Sequence, residues 1–367
     1  MKKILVSFLC LIFFASSSLA WNRAGHMVSG AIAYSELKAN HPDTLKKVMA
    51  LLQQHPDYQS KWEEAIKDLP DKSENRDLYI FMMAARWADD IRDSPSFNHP
   101  KWHYINYPLT FEGGVATREP EAENIVSAFT QSFANVAKSN SAATERAVSL
   151  TWIFHLTGDV HQPLHTTALF SSEFPNGDKG GNDFKIIASE DAKTINLHSY
   201  WDGVIIGSDN FQQVKNQAIL IRNNPNLQRK KLTELKDTDF TNWAKKESFN
   251  LARDVAYEKG ALKSGSTLTQ QYRDKAKEAG ERRMALSGYR LADLLVKSFK
   301  NSSTTSATPS TTPAQTNDAL IYANKKSKLY HLSNCPDYIK VAPQNRVPFK
   351  SEEEAQKAGY KKAQNCP

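Results

Sequence analysis

The sequence predicts a mainly α-helical protein with a small second unit at its C-terminal end. Hydrophobic residues make up 40% and charged residues 24% of the 367 positions, which is typical of water-soluble globular chains. Apolar residues recur at three- and four-residue steps in several long segments, whereas strand-like segments are short and few. These observations exclude a bundle of membrane helices and a wholly disordered chain.

The first twenty residues have the pattern of a secretory signal peptide. Lys2 and Lys3 precede an apolar run at 4–15, and Ser-Leu-Ala at 18–20 offers small residues for cleavage. The run is too short for a membrane-spanning helix, so we expect no membrane anchor. Cleavage after Ala20 would export a chain that begins at Trp21, either to the periplasm or out of the cell.

The following body, 21–300, is predicted to be one helical domain. Its strongest helical patterns place apolar residues on one face of each segment. The predicted helices span 76–90, 121–138, 144–158 and Gln270–Lys300. Strand-like patterns are limited to 102–107 and 184–188, which favours an all-α or nearly all-α body.

A linker and a basic tail complete the chain. We assign the linker to 301–318, because its first seventeen residues contain ten Ser or Thr, two Pro and no charged residue. The tail at 319–367 is predicted to be a small α+β unit with nine Lys or Arg against four Asp or Glu. Cys335 and Cys366 both lie in it, and an oxidising compartment predicts a disulfide between them.

Imidazole and carboxylate side chains recur in the body at spacings that suit a metal site. His155 and Asp159 are four residues apart in a predicted helix, and His198 and Asp202 repeat the offset, so each pair leaves one helix face. His165 follows six residues after Asp159. The body contains no Cys, so nitrogen and oxygen must hold any metal there, as in catalytic zinc centres. One such pair is usually a surface ion pair, but two pairs favour a metal site.

The predicted mature terminus adds a second unusual feature. The α-amine and the carbonyl of Trp21 could chelate a metal together, and His26 could supply a third donor. Asp89 and His103 lie in the motifs WADDIR and WHYIN, at the end of one predicted helix and shortly after it.

The remaining body histidines are expected to be ordinary surface residues. His41, His55 and His99 stand beside prolines in loop-like sequence, which predicts that they are solvated. His161 follows the helix of His155 and is predicted to be a surface residue at the helix end, with a supporting role next to a metal ligand as the alternative.

Seven ordered motifs resemble the zinc-dependent single-strand nucleases of the S-one/P-one family. The motifs are Trp21 at the terminus, GH at 25–26, WADDIR at 87–92, WHYIN at 102–106, FHLTGDVHQPLH at 154–165, GGN at 180–182 and NLHSYWD at 196–202. The segment AGERRMALSGYRLADLL near position 290 is similar to the closing helix of the family. The resemblance implies a helical fold with three zinc ions, Zn²⁺, per chain.

The resemblance also implies three ligand sets, two of which share Asp159. The sets are Asp89, His103, His155 and Asp159 for the first zinc; the amine and carbonyl of Trp21, His26 and Asp159 for the second; and His165, His198 and Asp202 for the third. A hydroxide that bridges the first two zincs would attack phosphorus, and the third zinc would neutralise the departing 3′ oxygen. Single-stranded DNA and RNA would yield 5′-phosphorylated products, and 3′-nucleotides would also be substrates.

Further roles follow from the same resemblance. Arg92 is expected to contact a phosphate oxygen, Asp89 to help orient the attacking water, and Tyr104 to stack on an unpaired base. Asn106 stands where the family commonly has Asp, and Asn182 of the GGN turn is a candidate substrate contact. We expect a monomer without a stable protein partner.

Two other zinc-binding functions are alternatives. A zinc-dependent phospholipase C is similar in fold but characteristically carries Glu where this chain has Asp202, and it lacks the pair Tyr104 and Asn106. A zinc-sequestering or adhesion protein would bind metal without turnover, which the expected open coordination disfavours.

The tail looks like small Cys-containing modules that are appended to nucleic-acid enzymes. Ala363 stands where such modules usually carry another cysteine, so a disulfide is favoured over metal binding by His331, Cys335 and Cys366. Its positive charge predicts a role in holding polynucleotide near the body.

Overall fold

The computed structural model describes most of the body and part of the tail. The described residues are 21–69, 71–94, 96–138, 140–300, 321–332, 335, 341, 345–349 and 351–366. The predicted signal peptide at 1–20 and the predicted linker at 301–318 lie outside them. Within the described residues the protein is mainly helical, which confirms the predicted fold class.

Helices form most of the described part of the body. The α-helices are α1 Arg23–Asn40, α2 Pro42–Leu52, α3 Glu63–Ile66, α4 Lys72–Asp90, α5 Ile125–Ala137, α6 Ala143–Asp159, α7 Leu197–Asp202, α8 Phe211–Asn223, α9 Phe240–Asn242, α10 Phe249–Leu251, α11 Gln270–Lys300 and α12 Glu352–Lys357. The 3₁₀ and π segments are Tyr58–Trp62, Pro100–His103, Pro163–Thr166, Arg229–Lys231, Thr233–Lys236, Trp243–Ser248, Ala252–Ala256 and Glu258–Gly260.

Capping decides where the fifth helix begins. The helix expected from 121 begins only at Ile125, because the side chain of Asn124 accepts hydrogen bonds from the N–H groups of Val126 and Ser127 at 2.9 and 3.2 Å. Asn124 thus satisfies N–H groups that the first helical turn leaves without partners. The apolar positions of the predicted helix begin at Ile125, so the periodicity agrees with the observed start and only the bound at 121 was too early.

The first helix lies at the centre of the body. It packs against α4, α8 and α11, while α6 packs against α4 and α5. Most of α1 is buried, including His26, so a polar side chain on this helix reaches the interior rather than solvent. This arrangement places the start of α1, the end of α4 and the end of α6 near one another.

Among the described residues, nine short strands form three small sheets. Their bounds are β1 Tyr107–Leu109, β2 Thr167–Leu169, β3 Lys185–Ile187, β4 Thr194–Asn196, β5 Ser266–Thr267, β6 Ile321–Asn324, β7 Leu329–His331, β8 Arg346–Phe349 and β9 Lys361–Lys362. The first sheet is β1 beside β2, paired in parallel, and the second has the order β4-β3-β5. The strand expected at 102–107 is wrong for most of its length, because Pro100 begins a 3₁₀ helix there.

The described part of the tail contains a four-stranded sheet of order β8-β6-β7-β9 with α12 against it. A disulfide joins Cys335 and Cys366 with 4.6 Å between their Cα atoms, as the sequence predicts. Arg346 of β8 forms an ion pair with Glu145 of α6 at 3.0 Å. No helix in the described part of the chain is both long and apolar enough to span a membrane.

Candidate metal centre

Eight imidazole and carboxylate side chains from six separate segments converge in the body. They are His26 of α1, Asp89 of α4, His103 of the helix Pro100–His103, His155 and Asp159 of α6, His165 of the helix Pro163–Thr166, and His198 and Asp202 of α7. Each is at most 6% exposed. Buried groups of this kind must be paired, neutral or bound to a cation.

Asp159 lies at the meeting point of three histidines. Its Oδ1 is 3.1 Å from Nε2 of His26, and its Oδ2 is 3.1 Å from Nδ1 of His103 and 3.2 Å from Nε2 of His155. The two carboxylate oxygens therefore face different imidazoles. A carboxylate in this position can bind two cations, one through each oxygen.

Asp89 completes the same region from the end of α4. Its oxygens lie 3.8 Å from Nε2 of His155 and 3.9 Å from Nε2 of His26. The rings of His26 and His155 stack with 3.8 Å between centroids. We refer to Asp89, Asp159 and the three histidines His26, His103 and His155 as the first group.

His165, His198 and Asp202 form a second group. The Nε2 atoms of the two imidazoles are 3.0 Å apart, and Nε2 of His198 is 3.6 Å from Oδ1 of Asp202. Gln162 donates a hydrogen bond to the same Oδ1 at 2.7 Å. One candidate ligand atom from each member lies within 4.8 Å of the other two.

Main-chain carbonyl groups orient three of these imidazoles. Nδ1 of His155 donates to the carbonyl of Ala85 at 2.9 Å, Nδ1 of His165 to that of His103 at 2.6 Å, and Nδ1 of His198 to that of Gly180 at 2.6 Å. A carbonyl can only accept, so a neutral ring keeps its proton on Nδ1 and turns the lone pair of Nε2 inward. Such carbonyl contacts are typical of metal-ligating histidines.

The arrangement of the inward-facing nitrogen and oxygen atoms favours a bound cation over direct contacts among these atoms. The Nε2 lone pairs of His165 and His198 face each other, as neither atom carries the proton in the neutral rings, and a shared cation makes that arrangement favourable. In the first group, the buried atoms Asp89 Oδ2 and His26 Nδ1 have no hydrogen-bond partner among the described residues, and Asp159 Oδ1 and His26 Nε2 have only each other, at 3.1 Å; Asp202 Oδ2 lacks a partner in the second group. Unpaired buried polar atoms are costly, and a metal ion would satisfy them.

The pKa values of His26, His198 and Asp202 also favour a bound cation. Burial, with a smaller contribution from His155, lowers the pKa of His26 to about 4, and burial with His165 lowers the pKa of His198 to about 3. Both rings are therefore neutral at neutral pH, as a metal ligand must be. Burial raises the pKa of Asp202 well above its ordinary value, so a nearby cation would favour its ionised form.

Trp21 is buried beside the start of α1. Its neighbour Asn22 caps that helix by accepting from the N–H of Gly25 at 2.9 Å, and its own N–H donates to the carbonyl of Asp202 at 3.1 Å. The main chain next to Trp21 is thereby fixed to a residue of the second group. The role of the Trp21 amine as a ligand stays a prediction.

The residues expected to contact substrate lie around the two groups. Arg92 donates to Oδ1 of Asp89 at 2.6 Å, and its charge also acts on His198 and Asp202. Tyr104 is 37% exposed, so its ring is accessible to a base. The amide of Asn182 donates to the carbonyl of Lys179 at 2.8 Å and thus stabilises its own turn.

Asn106, the other predicted substrate contact, is half-buried two residues after Tyr104. Its expected role as a substrate contact stays a prediction.

Two histidines that were expected at the surface are buried. His161 donates from Nδ1 to the carbonyl of Thr157 at 2.7 Å, and its Nε2 accepts from Arg290 at 2.9 Å. His55 stacks on Trp62 with 4.5 Å between centroids. The expectation of solvated rings was wrong because it considered adjacent prolines and helix ends and left out packing from distant segments.

A buried ionic network supports the turn after Asp159, and sequence reasoning missed it. Arg283 donates to the carbonyl of His161 at 3.1 Å, and both Arg283 and Arg290 pair with Glu247 at 2.6 Å. The two arginines are seven residues apart within a buried face of α11 that is otherwise mostly apolar, with Ser287 between them. That placement was the available signal, because a charged residue on an apolar face must find a partner in the interior.

Gly158 is a second missed residue. A Cβ atom there would lie 2.5 Å from Nδ1 and 2.8 Å from Cε1 of His26. The ring of His26 is held against the backbone of α6 with no room for a side chain. The sequence suggested only that this glycine ends a helix, whereas α6 continues to Asp159.

Gly158→Ala is expected to displace His26 and to lower activity on nucleic acid by at least about tenfold. We expect the fold to persist, because Ala favours a helix by about 1 kcal/mol over Gly. Cleavage rate, metal content and circular dichroism would be measured together. Gly203→Ala is the control, since Gly203 is likewise adjacent in sequence to a candidate ligand, Asp202, but the nearest atom to its Cβ would be 3.6 Å away. Equal activity of the two variants would contradict the prediction.

Comparisons with known proteins agree with the geometry. A family model described as S1/P1 Nuclease matches residues 21–300. Endonuclease 3 of Arabidopsis thaliana is 26% identical over 317 residues, which cover 80% of this chain and 94% of the relative. Endonuclease 5 of the same plant is 25% identical over 82% of this chain and 97% of the relative. Nuclease S1 of Aspergillus oryzae is 26% identical over 57% of this chain and 75% of the relative.

Proposed function

The chain belongs to the S1/P1 nuclease family, and from this membership we propose that it is an exported, three-zinc nuclease specific for single strands. Membership makes it a hydrolase that acts on the phosphoester bonds of nucleic acids, in a metal-dependent family. The proposal adds the identity and number of the metal ions, the preference for single-stranded DNA and RNA, the 5′-phosphorylated products and a 3′-nucleotidase activity.

One observation carries the proposal: eight buried side chains that can bind metal through nitrogen or oxygen converge, and several of their inward-facing atoms have no hydrogen-bond partner in the part of the chain that the structure describes. The absence of thiolates among them, together with the many imidazoles, fits zinc. We propose that Asp89, His103, His155 and Asp159 hold one ion, that Trp21, His26 and Asp159 hold another, and that His165, His198 and Asp202 hold the third. Bound zinc would supply hydroxide at neutral pH and stabilise charge on the leaving oxygen.

The chain's own residues orient these reactants. Asp159 divides its two oxygens between different imidazoles and would keep two ions at a fixed separation. Arg92 lies next to Asp89 and can donate to a phosphate oxygen while it maintains that ion pair. Asp89, with an oxygen that has no hydrogen-bond partner among the described residues, can orient a water molecule.

The proposed preference for single strands rests on access. All candidate ligands are buried, so a phosphodiester must leave the regular duplex geometry to reach them. The half-exposed ring of Tyr104, beside His103, can stack on an unpaired base, which contributes about 1–3 kcal/mol per base in comparable sites. Asn106 and Asn182 would also contact the nucleotide in this proposal.

The proposal also includes export through the segment at 1–20. Removal of this segment would create the Trp21 amine, and the disulfide between Cys335 and Cys366 suits an oxidising compartment. We further propose that 21–300 is the catalytic domain and that 319–367 is a separate unit after a linker.

One experiment tests the activity. Protein that begins at Trp21 would be assayed on single-stranded DNA, single-stranded RNA, duplex DNA, a 3′-nucleotide and phosphatidylcholine, with and without a chelator. We expect cleavage of the single strands and the 3′-nucleotide, loss of activity with chelator, and about three zinc ions per chain by elemental analysis. Cleavage of the lipid alone would favour a phospholipase C, and tight metal binding without turnover would favour a sequestering protein.

We also propose that the tail holds the polynucleotide through a basic edge. Lys325, Lys326 and Lys328 lie in the exposed turn between β6 and β7, and Lys361 and Lys362 form the neighbouring edge strand β9. The opposite edge, β8, contacts the body through Arg346 and Glu145. The basic edge is therefore the one farther from that contact, where phosphates can reach it.

Replacing Lys325, Lys326, Lys328 and Lys361 with Gln is expected to weaken binding to long single strands and to flatten its salt dependence. Each lost phosphate contact reduces the slope of log K against log salt by about 0.7, so we expect a change of roughly 1–3. Binding would be measured by fluorescence anisotropy on chelated protein. The control changes Lys230, Lys231, Lys275 and Lys277, exposed residues of the body. An unchanged slope in the tail variant would contradict this role.

A further inference from the structure

A buried carboxylate, Asp178, lies outside both groups of candidate ligands. Its Oδ1 accepts from the N–H of Leu169 at 2.9 Å, and its Oδ2 accepts from the hydroxyl of Tyr257 at 2.6 Å. The N–H of Gly181 also donates to the carboxylate. Asp178 and Tyr257 are both fully buried. This carboxylate thus makes three hydrogen bonds in the interior, and none of them is to a candidate metal ligand.

Asp178 belongs to the turn 177–182, which holds His198. Within this turn, the carbonyl of Gly180 accepts from Nδ1 of His198 at 2.6 Å, and the carbonyl of Gly181 accepts from the main-chain N–H of His198 at 3.2 Å. Gly177, Lys179, Gly180 and Gly181 all have positive φ, with Lys179 at 56°. A backbone of this kind persists only where surrounding contacts fix it. The hydrogen bonds of Asp178 are such contacts.

The same carboxylate is connected to the segment of His165. Leu169 ends β2, and β2 follows directly after the 3₁₀ helix that carries His165. The N–H of Asp178 donates to the carbonyl of Leu169 at 3.0 Å, so the two residues exchange two hydrogen bonds. Asp178 therefore links the strand after His165 to the turn that orients His198.

We propose that Asp178 is a positioning residue for the second group: it orders the turn 177–182, which aims Nε2 of His198 at Nε2 of His165 and thereby sets the affinity of this pair for its cation. The proposal rests on the proposed function, because that function assigns a cation to His165, His198 and Asp202. Hydrogen bonds behind a metal ligand commonly change metal affinity by 10- to 100-fold.

The pKa of Asp178 supports a functional role. Burial raises this pKa to about 6, although the bonds from Tyr257 and the backbone act to lower it. A group whose pKa is raised by folding stabilises the fold in its protonated form, below about pH 4, and this stabilisation is lost as pH rises through 6. At neutral pH the ionised carboxylate therefore costs folding free energy, which is difficult to explain by stability alone.

Asp178→Asn and Asp178→Ala test the proposal, with Tyr257→Phe as the matched control. Tyr257→Phe removes one hydrogen bond from the carboxylate but leaves the two from the backbone of Leu169 and Gly181. Zinc release to a chromophoric chelator, zinc content and unfolding temperature would be measured on protein that begins at Trp21, followed by kcat and KM at increasing zinc.

We expect one of the bound zinc ions to dissociate about 10- to 100-fold more readily from Asp178→Ala, and to a smaller extent from Asp178→Asn, with the other ions unaffected. Added zinc should restore kcat. At neutral pH Asp178→Asn should unfold no lower than the unchanged protein, and Tyr257→Phe should keep normal zinc affinity.

Wild-type zinc affinity in Asp178→Asn would overturn the proposal, and so would a fall in unfolding temperature with unchanged zinc release. If Asp178→Ala does not fold, the comparison of zinc release from Asp178→Asn and Tyr257→Phe still tests the proposal. Zinc release is measured without cleavage, so this outcome is distinct from failure of the proposed function, which would appear as unchanged activity of the original protein under chelation.

Discussion

Asp159→Asn is expected to lower the rate of nucleic-acid cleavage by about a thousandfold or more, which corresponds to roughly 4 kcal/mol. Asp159 is the residue whose two oxygens face different imidazoles, and in the proposed centre it is a ligand of two ions. An amide carries no negative charge, and only its oxygen can bind zinc. Loss of the shared ligand would therefore disturb both ions, each of which contributes several kcal/mol to such reactions.

The measurement combines kcat with zinc content and the unfolding temperature. Asp254→Asn is a suitable control, because Asp254 is a partly exposed carboxylate whose partner is Arg253. We expect the control to keep full activity and full zinc content. A variant at Asp159 that keeps its zinc and a tenth of its activity would show that this carboxylate does not bridge two ions.

One residue added before Trp21 is expected to lower activity at least a hundredfold and to remove about one zinc ion per chain. A peptide nitrogen has no lone pair available for zinc, so the extended chain would lose the amine ligand. Trp21 is completely buried, and Asn22 is anchored to the carbonyl of Asp202, so the terminus has little freedom to find another ligand.

A cleavable extension provides its own control. The same preparation would be assayed before and after a protease exposes Trp21 as the first residue. We expect both activity and zinc content to rise on cleavage. An uncut form with full turnover and a full complement of zinc would show that the amine is not a ligand.

The sequence predicted pairs of candidate ligands better than it predicted how they meet. The offsets of His155 from Asp159 and of His198 from Asp202 place each pair on one helix face, because the helical repeat fixes that geometry. No spacing argument brings His26 against Asp159, since their contact depends on the packing of α1 against α6. The family resemblance supplied that grouping, and the family match confirms the resemblance.

The residues that were missed depend on tertiary packing. Gly158 matters because His26 lies against it, and the burial of His161 follows from its contact with Arg290, which is 129 positions away. Local sequence contains neither neighbour. The start of α5 was placed four residues too early for a local reason, because Asn124 caps the helix and Glu121 to Glu123 lie before the cap. Caps and glycines therefore need to be read together with periodicity.

The parallel pairing of β1 with β2 has a consequence for evolution and for redesign. The N–H of Ile105 donates to the carbonyl of His165, and Tyr107 pairs with Thr167. Main-chain hydrogen bonds therefore join the segment of His103, a candidate ligand of one proposed ion, to the segment of His165, a candidate ligand of another. The backbone would then fix the separation of the two proposed ions. Side-chain substitutions could change what binds between the two segments, but they would hardly change this separation. Changing the separation would require β1 to slip in register against β2, and such a slip turns every side chain of the slipped strand to its other face.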